Sequence, residues 1–286
     1  MEPLKLAIFY GWPSTVNGTN NVTDAANIYS AYNIVTFGDG LQNTSHPDYQ
    51  NTLNIINQPS MTNVAVYGYV DCTQSLNTIK SKIDKWAVMN IAGIMCDPFG
   101  YDFNVSRNKQ NNIVNYIHGK GLSAFVNTWN PDDAFSPNID PNYNPNGLSC
   151  NLGPNDWYLA ESYQIITGNY QNVNDWTSKS EKMANYRNIF GTKMACLTTY
   201  DLSTFDQQKA DYSYYSCILY GFDAWGWGEE NFSATSSLLP YRNRKPLPPA
   251  GNMFTGPVIN NGDIHQRKLN VGIKINTLTN SSSELL

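Results

Sequence analysis

Short apolar runs recur along the chain, and each is followed by a polar or Gly/Pro-rich turn and then by a segment with helical spacing. This alternation predicts a parallel sheet whose strands are joined by crossover helices. Eight runs have strand character: residues 5–10, 33–37, 63–70, 92–96, 122–127, 156–161, 192–200 and 222–227.

The segments between these runs predict six helices and one irregular crossover. The helices are expected at residues 23–32, 48–57, 75–89, 105–119, 176–190 and 204–219. Residues 128–155 are crowded with Pro, Asn and Gly, which favours a long surface loop with one helical turn near Asp132. Long loops in compact domains are often functional.

Eight strand-helix units ending near residue 228 predict an α/β fold, the (β/α)8 or TIM barrel. An open doubly wound sheet is less favoured because no Gly-rich phosphate loop divides the chain into halves. We predict a barrel over residues 1–237, a Pro-rich connector over 238–251, and a small C-terminal β appendage or tail over 252–286. Within the appendage, Leu269, Val271, Ile273 and Ile275 alternate with other residues, as strand side chains do.

Composition and charge argue against several function classes. The chain has 286 residues, a net charge of −5 and only 14% charged residues, so we expect no nucleic-acid partner. It lacks a run of about 18 apolar residues and a signal-peptide pattern, so we expect no membrane partner. The five cysteines are odd in number and scattered, which predicts small core residues rather than a disulfide framework.

The histidines are too few for the common histidine-based sites. His46, His118 and His265 are the only ones in the sequence, and they cannot assemble a zinc site at the predicted strand ends. A Ser-His-Asp arrangement would have only His46 as a base. We therefore predict no metal and no cofactor, while Mg²⁺ or Ca²⁺ bound by carboxylates stays open without a loop signature to indicate it.

Acidic side chains follow most of the predicted strands. The carboxyl-terminal ends of barrel strands meet at one opening, so these acids are expected at the same rim. Aromatic and amide side chains come with them. The candidates are Asp39, Asp71, Asp97, Glu161, Asp201 and Glu229 among the acids, with Tyr10, Trp12, Asn127, Trp129, Tyr200 and Trp227 beside them.

This combination is typical of a sugar-binding site. Pyranose rings stack their apolar faces on aromatic rings, and sugar hydroxyls bind carboxylates and amides. Cleavage of a glycosidic bond then needs two acids, one protonated and one ionised. The pattern indicates a sugar ligand that contains a glycosidic bond.

Several motifs, in this order, resemble the spherulin-4-like and endo-α-1,4-polygalactosaminidase glycoside hydrolases. They are "GYVD" (68–71), "KWAVMNIAGIMCDPFGYDF" (85–103), "GLSAFVNTWNPDD" (121–133), "DWYLAES" (156–162) and "GFDAWGWGEENF" (221–232). The similarity extends over about residues 5 to 232. It implies a (β/α)8 barrel that cuts galactosamine-containing polysaccharides, with Asp97, Asn127 and Glu161 at the family's site positions. Pro98 departs from the spherulin-4-like branch, where a second acid is common.

The C-terminal segment "GNMFTGPVINNGDIHQRKLNVGIKIN" (251–276) is similar to parts of bacteriophage fibre or baseplate proteins. That resemblance implies a protein that works outside the cell or on a virion. If the chain associates with a second copy of itself or with a virion, we expect residues 250–286 to make the contact.

We therefore expect a glycoside hydrolase with Asp97 and Glu161 as the catalytic pair. Glu161 is the expected proton donor and Asp97 the nucleophile or base, although the sequence alone leaves that assignment open. The other ten candidates are expected to bind substrate, and for Asp39, Asp71 and Asp201 a salt bridge is the competing interpretation. The alternative function is a non-enzymatic virion decoration or fibre module that at most binds glycans.

Overall fold

Eight parallel strands form a closed barrel in the computed structural model, which describes residues 2–199, 206–228, 235, 238, 258–267 and 272–285. Each strand pairs with its neighbours in chain order, and the eighth closes on the first with Leu4 opposite Ala224. The predicted (β/α)8 fold is confirmed. The strands are β1 (Leu4–Phe9), β2 (Ile34–Phe37), β3 (Ala65–Val70), β4 (Gly93–Cys96), β5 (Ser123–Asn127), β6 (Trp157–Ala160), β7 (Lys193–Thr199) and β8 (Ala224–Gly228).

Seven α-helices in the described residues connect these strands, and they include all six predicted ones. The helices are α1 (Val22–Tyr29), α2 (Tyr49–Ile56), α3 (Leu76–Ala87), α4 (Arg107–Gly119), α5 (Pro131–Phe135), α6 (Val173–Phe190) and α7 (Gln207–Tyr220). The short α5 is the single turn expected near Asp132. Ser106 caps α4 by accepting a hydrogen bond from the Lys109 N–H, and Gly191 ends α6 with a φ of 71° that suits glycine.

Apolar side chains form two cores because strand side chains alternate between the two faces of the barrel wall. The outer core lies between strands and helices and holds the large rings of Trp86, Trp176 and Trp225. The inner core fills the barrel. It consists of Leu6, Ile8, Ile34, Tyr67, Met95, Phe125, Trp157, Leu159, Ala195, Leu197 and Ala224.

The expected C-terminal β appendage is a four-stranded antiparallel sheet. Its strands are β9 (Ile259–Asn261), β10 (Ile264–Arg267), β11 (Gly272–Asn276) and β12 (Ser281–Leu285), paired in that order. Ile273 and Ile275 are buried in the outer core, and β11 and β12 pack against α7. Leu269 and Val271 lie outside the described residues. Across the described ranges, no helix has the length and apolar character needed to span a membrane.

A buried carboxylate links several segments at the amino-terminal end of the barrel. Asp156, 1% exposed, accepts hydrogen bonds from the backbone N–H groups of Ala124 and Gly153, both at 2.8 Å. His118 Nε2 lies 2.9 Å from the same carboxylate. One side chain thus joins β5, α4 and the loop before β6, so the carboxylate is needed to satisfy several donors at once.

We predict that Asp156→Asn lowers the free energy of unfolding by about 2–4 kcal/mol, because the new amide nitrogen faces groups that donate hydrogen bonds. Urea denaturation at pH 7 measures this. Asp84→Asn is the control, since Asp84 forms an ion pair with Lys120 but its side chain is 47% exposed, and its loss should stay below about 1 kcal/mol. Equal losses in the two variants would contradict a structural role for Asp156.

Candidate active site

The upper layer of the barrel interior is polar. Residues two positions beyond an inner-core residue point to the same side of the strand, so the chain places a ring of functional groups above the apolar layer. Tyr69 and Asn127 belong to strands, and three others directly follow strands. The ring comprises Tyr10 beyond Ile8, Tyr69 beyond Tyr67, Asp97 beyond Met95, Asn127 beyond Phe125 and Glu161 beyond Leu159.

A cavity of about 520 Å³ lies over this ring. Asp97, Asn127 and Glu161 line it together with Tyr10, and Ile8, Met95 and Leu159 contribute apolar surface. The volume is within the range of small-molecule sites, roughly 300–1,000 Å³. An apolar cavity with a few converging polar groups is the usual form of such a site.

Asn127 joins the two acids. Its Nδ2 atom donates hydrogen bonds to Asp97 Oδ1 at 2.9 Å and to Glu161 Oε2 at 2.5 Å. The two accepting oxygens are therefore at most 5.4 Å apart, the sum of the two bond lengths. The strands explain the arrangement, because β4, β5 and β6 are adjacent in the barrel and each delivers one of the three side chains.

Both carboxyl groups hold their protons more tightly than usual. Burial raises the pKa of Asp97 to about 6, against the opposing effect of hydrogen bonds from Asn127 and Tyr69. Burial and then the charge of Asp97 raise the pKa of Glu161 to about 7, while Asn127 and the charge of Lys179 lower it. Near pH 6.5, the pair therefore favours an ionised Asp97 beside a protonated Glu161.

Two tyrosines complete the polar layer. The rings of Tyr10 and Tyr69 meet edge to face with their centres 5.3 Å apart. Burial, and then the charge of Asp97, raises the pKa of both hydroxyls above the usual range, so they stay protonated. The Tyr69 hydroxyl also acts on Asp97 and lowers the pKa of that carboxyl group.

Two exposed aromatic rings flank the cavity. Trp129, in the loop after β5, is 50% exposed, and Phe103, in the loop after β4, is 51% exposed. Asp102 also lines the cavity and is exposed. Exposed rings next to a carboxylate offer both stacking and hydrogen bonding to a ligand.

Two predicted substrate-binding acids are occupied by other contacts. Asp39 forms an ion pair with Lys82 at 2.5 Å, and Asp71 accepts hydrogen bonds from the Thr73 N–H and hydroxyl at 2.8 and 2.6 Å. Neither lines the cavity. The charge of Asp71 still raises the pKa of Asp97, so it acts on the site from a distance.

Two predicted tryptophans also lie away from the cavity lining. Trp12 is 49% exposed and meets the ring of His46 at 5.6 Å. Trp227 packs against the outer core, since the alternation along β8 turns it away from the barrel interior. It therefore does not share the cavity lining with Asp97 and Glu161. Three further candidates lie outside the described residues: Tyr200, Asp201 and Glu229.

Three residues at or behind the site were absent from the sequence-based candidates: Asp102, Phe103 and Lys179. Tyr69 lies in the third predicted strand, and its spacing of two residues from Tyr67 marks an inward-facing side chain. Lys179 lies on the buried face of α6 with Trp176 and Met183, where a lysine among apolar positions is the available signal.

The described residues contain no group of three or more His, Cys, Asp or Glu side chains that could hold a metal ion. His46 Nδ1 accepts a hydrogen bond from the backbone N–H of Asp48, and His118 contacts Asp156 at the opposite end of the barrel. His265 lies in the C-terminal sheet.

Comparisons with known proteins show similarity in fold alone. No protein-family model and no curated protein matches the chain. Solved structures that are similar include HpcH/HpaI aldolase from Desulfitobacterium hafniense (8% identity, TM-score 0.48, 79% of this chain and 86% of that one). Type I 3-dehydroquinate dehydratase from Clostridium difficile has 8% identity and a TM-score of 0.49, over 82% of this chain and 88% of that one. The carboxyl transferase domain of Rhizobium etli pyruvate carboxylase has 9% identity and a TM-score of 0.48 over 81% of this chain, which spans 42% of the other.

The raised pKa of Glu161 predicts a pH-dependent cost in stability. The folded state holds this proton more tightly than the unfolded state, so the free energy of unfolding falls as pH rises from about 4.5 to about 7. Glu161→Gln removes this effect and should stabilise the protein by about 2 kcal/mol more at pH 8 than at pH 5. Urea denaturation at both values measures it.

Glu181→Gln serves as the matched control, because Glu181 is an exposed glutamate on α6. Its effect should be nearly the same at the two pH values. A Glu161→Gln effect that is equally independent of pH would contradict the environment described for Glu161.

Proposed function

We propose that the chain is a glycoside hydrolase that cleaves an amino-sugar polysaccharide, with Asp97 and Glu161 as its acid pair. The observation that carries the proposal is the geometry around Asn127, where two carboxyl groups of unequal pKa share one amide at the floor of a cavity. Glycosidic cleavage needs such a pair, one acid protonated and the other ionised.

The pKa order supports one assignment of the two roles. Glu161 donates its proton to the glycosidic oxygen as the bond to the anomeric carbon breaks, and ionised Asp97 attacks that carbon to form a glycosyl ester. Glu161 then takes a proton from water, whose oxygen displaces Asp97 and releases the sugar. An oxygen separation of at most 5.4 Å is below the roughly 6.5–9.5 Å between the carboxyl groups of inverting enzymes, which supports the retaining route.

The lining of the cavity favours a positively charged sugar. Asp97, Glu161 and Asp102 line it, whereas no Lys, Arg or His is among the described lining residues. A free amino group on a hexose would be attracted by these carboxylates, and Trp129 and Phe103 offer rings for its apolar face. These features support a galactosamine-type polymer over a neutral or acidic one.

The motif resemblance supports the same proposal. Asp97, Asn127 and Glu161 are the positions that match the spherulin-4-like and polygalactosaminidase pattern, and they are also the three residues joined by hydrogen bonds. An enzyme for such polymers acts outside the cell or on a virion, where the polysaccharide is found. Binding of the polymer without cleavage would instead favour the non-enzymatic glycan-binding module.

We predict that wild-type protein releases oligosaccharides from a de-N-acetylated galactosaminoglycan, measured by mass spectrometry. Asp97→Asn and Glu161→Gln should each lower kcat by about 10³-fold or more while the polymer still binds. Asp84→Asn, on the surface, is the control and should keep the wild-type rate. Nuclear magnetic resonance of the fresh product should show the anomeric configuration retained. Full activity in either acid variant would refute the assignment.

We expect a narrow pH profile for this cleavage. The rate should rise as Asp97 ionises near pH 6 and fall as Glu161 loses its proton near pH 7, which gives a maximum between these values. Initial rates from pH 4.5 to 9 test this. A rate that keeps increasing to pH 9 would contradict Glu161 as the proton donor.

A further inference from the structure

A lysine lies within the buried face of α6. Trp176, Lys179, Ser180 and Met183 form this face, and Lys179 is only 7% exposed. Burying an ammonium group without a partner is costly, and a buried lysine usually has a specific reason for its position. Burial lowers the pKa of Lys179 to about 8, while the charge of Glu161 opposes that change.

Lys179 contacts a residue of the cavity wall. Its Nζ atom lies 4.1 Å from the centre of the Trp129 ring, a cation–π contact, and has no hydrogen-bond partner among the described residues. Trp129 lines the cavity, whereas Lys179 does not. The ammonium group therefore lies behind a ring whose exposed surface is available to a ligand.

The charge of Lys179 acts on one acid of the pair. Three titratable groups face it: Glu161 after β6, Cys196 on β7 and Asp175 on α6. Glu161 in turn is influenced by Asp97 and Lys179. A cation near Glu161 favours the ionised form of its carboxyl group.

The charge of Lys179 affects the proposed reaction. The pair carries one negative charge throughout, first on Asp97 and then, once Asp97 is esterified, on Glu161. A positive charge near Glu161 stabilises the second state relative to the first. The ammonium group also contacts the ring of Trp129, which lines the cavity.

We propose that Lys179 is a positioning residue that holds Trp129 as a sugar-stacking surface and stabilises the ionised form of Glu161 from behind the cavity wall. The inference rests on the proposed hydrolase function, but its first test does not require activity. Lys179→Met keeps the length of the side chain and removes the charge, and Lys179→Arg restores the charge. Lys193→Met is the matched control, because Lys193 lies 5.2 Å from the ring of Trp157 at the opposite end of the barrel.

The first measurement is a carboxyl titration by nuclear magnetic resonance in protein labelled with ¹³C at the glutamate side-chain carboxyl. The chain has six glutamates, and Glu161→Gln identifies the signal of Glu161. We expect the Glu161 pKa to rise by about one unit in Lys179→Met and to stay near the wild-type value in Lys179→Arg and Lys193→Met. An unchanged titration in Lys179→Met would overturn the inference, whether or not the protein cleaves a polysaccharide.

The second measurement uses activity and stability. In Lys179→Met the alkaline limb of the pH profile should move upward and kcat should fall about tenfold, with recovery in Lys179→Arg. The melting temperature should stay equal or rise, because a thioether replaces a buried amine that has no hydrogen-bond partner among the described residues. A lower melting temperature with an unchanged pH profile would mean that Lys179 is only structural, and it would also overturn the inference.

Discussion

The site depends on the burial of two carboxyl groups that both accept hydrogen bonds from the amide of Asn127. This arrangement is possible because β4, β5 and β6 are neighbours in a closed parallel barrel, so that Asp97, Asn127 and Glu161 project from adjacent strands into one layer. Without the barrel, the acids would be solvated and would ionise together near pH 4. Their unequal proton affinities are therefore a property of the fold rather than of either residue.

Buried acids at the two ends of the barrel have different hydrogen-bond partners. At the amino-terminal end, Asp156 receives two backbone N–H groups and a histidine, so its charge is well satisfied. At the other end, Asp97 and Glu161 share one amide nitrogen, and burial raises the pKa of both. The hydrogen bonds to Asp156 stabilise the fold, whereas the raised pKa values of Asp97 and Glu161 suit these groups to proton transfer. This agrees with the general division of such barrels into a stabilising end and a functional end.

The strands, the helices of the described residues and the acids that follow the strands could be predicted from the sequence, because local apolar runs and their polar ends encode these features. The sequence was less informative about which way each side chain faces. Trp227 lies at the end of its predicted strand and Trp129 lies just after its own, but alternation along β8 turns Trp227 to the outer core. Contacts between residues distant in the chain could not be predicted, such as Lys82 with Asp39 and Lys179 with Trp129. These contacts depend on how helices pack against the barrel, and local sequence patterns do not determine that packing.

Closure of the barrel has a consequence for biosynthesis. Leu4 pairs with Ala224, so one edge of the first strand stays unpaired until the eighth has been made. At roughly 5–20 residues per second, that delay is on the order of 10–40 s on the ribosome. An open apolar strand edge is a template for unwanted pairing with other chains. The nascent protein is therefore most vulnerable to aggregation before its last strand emerges, and a chaperone that shields the early strands would act in that interval.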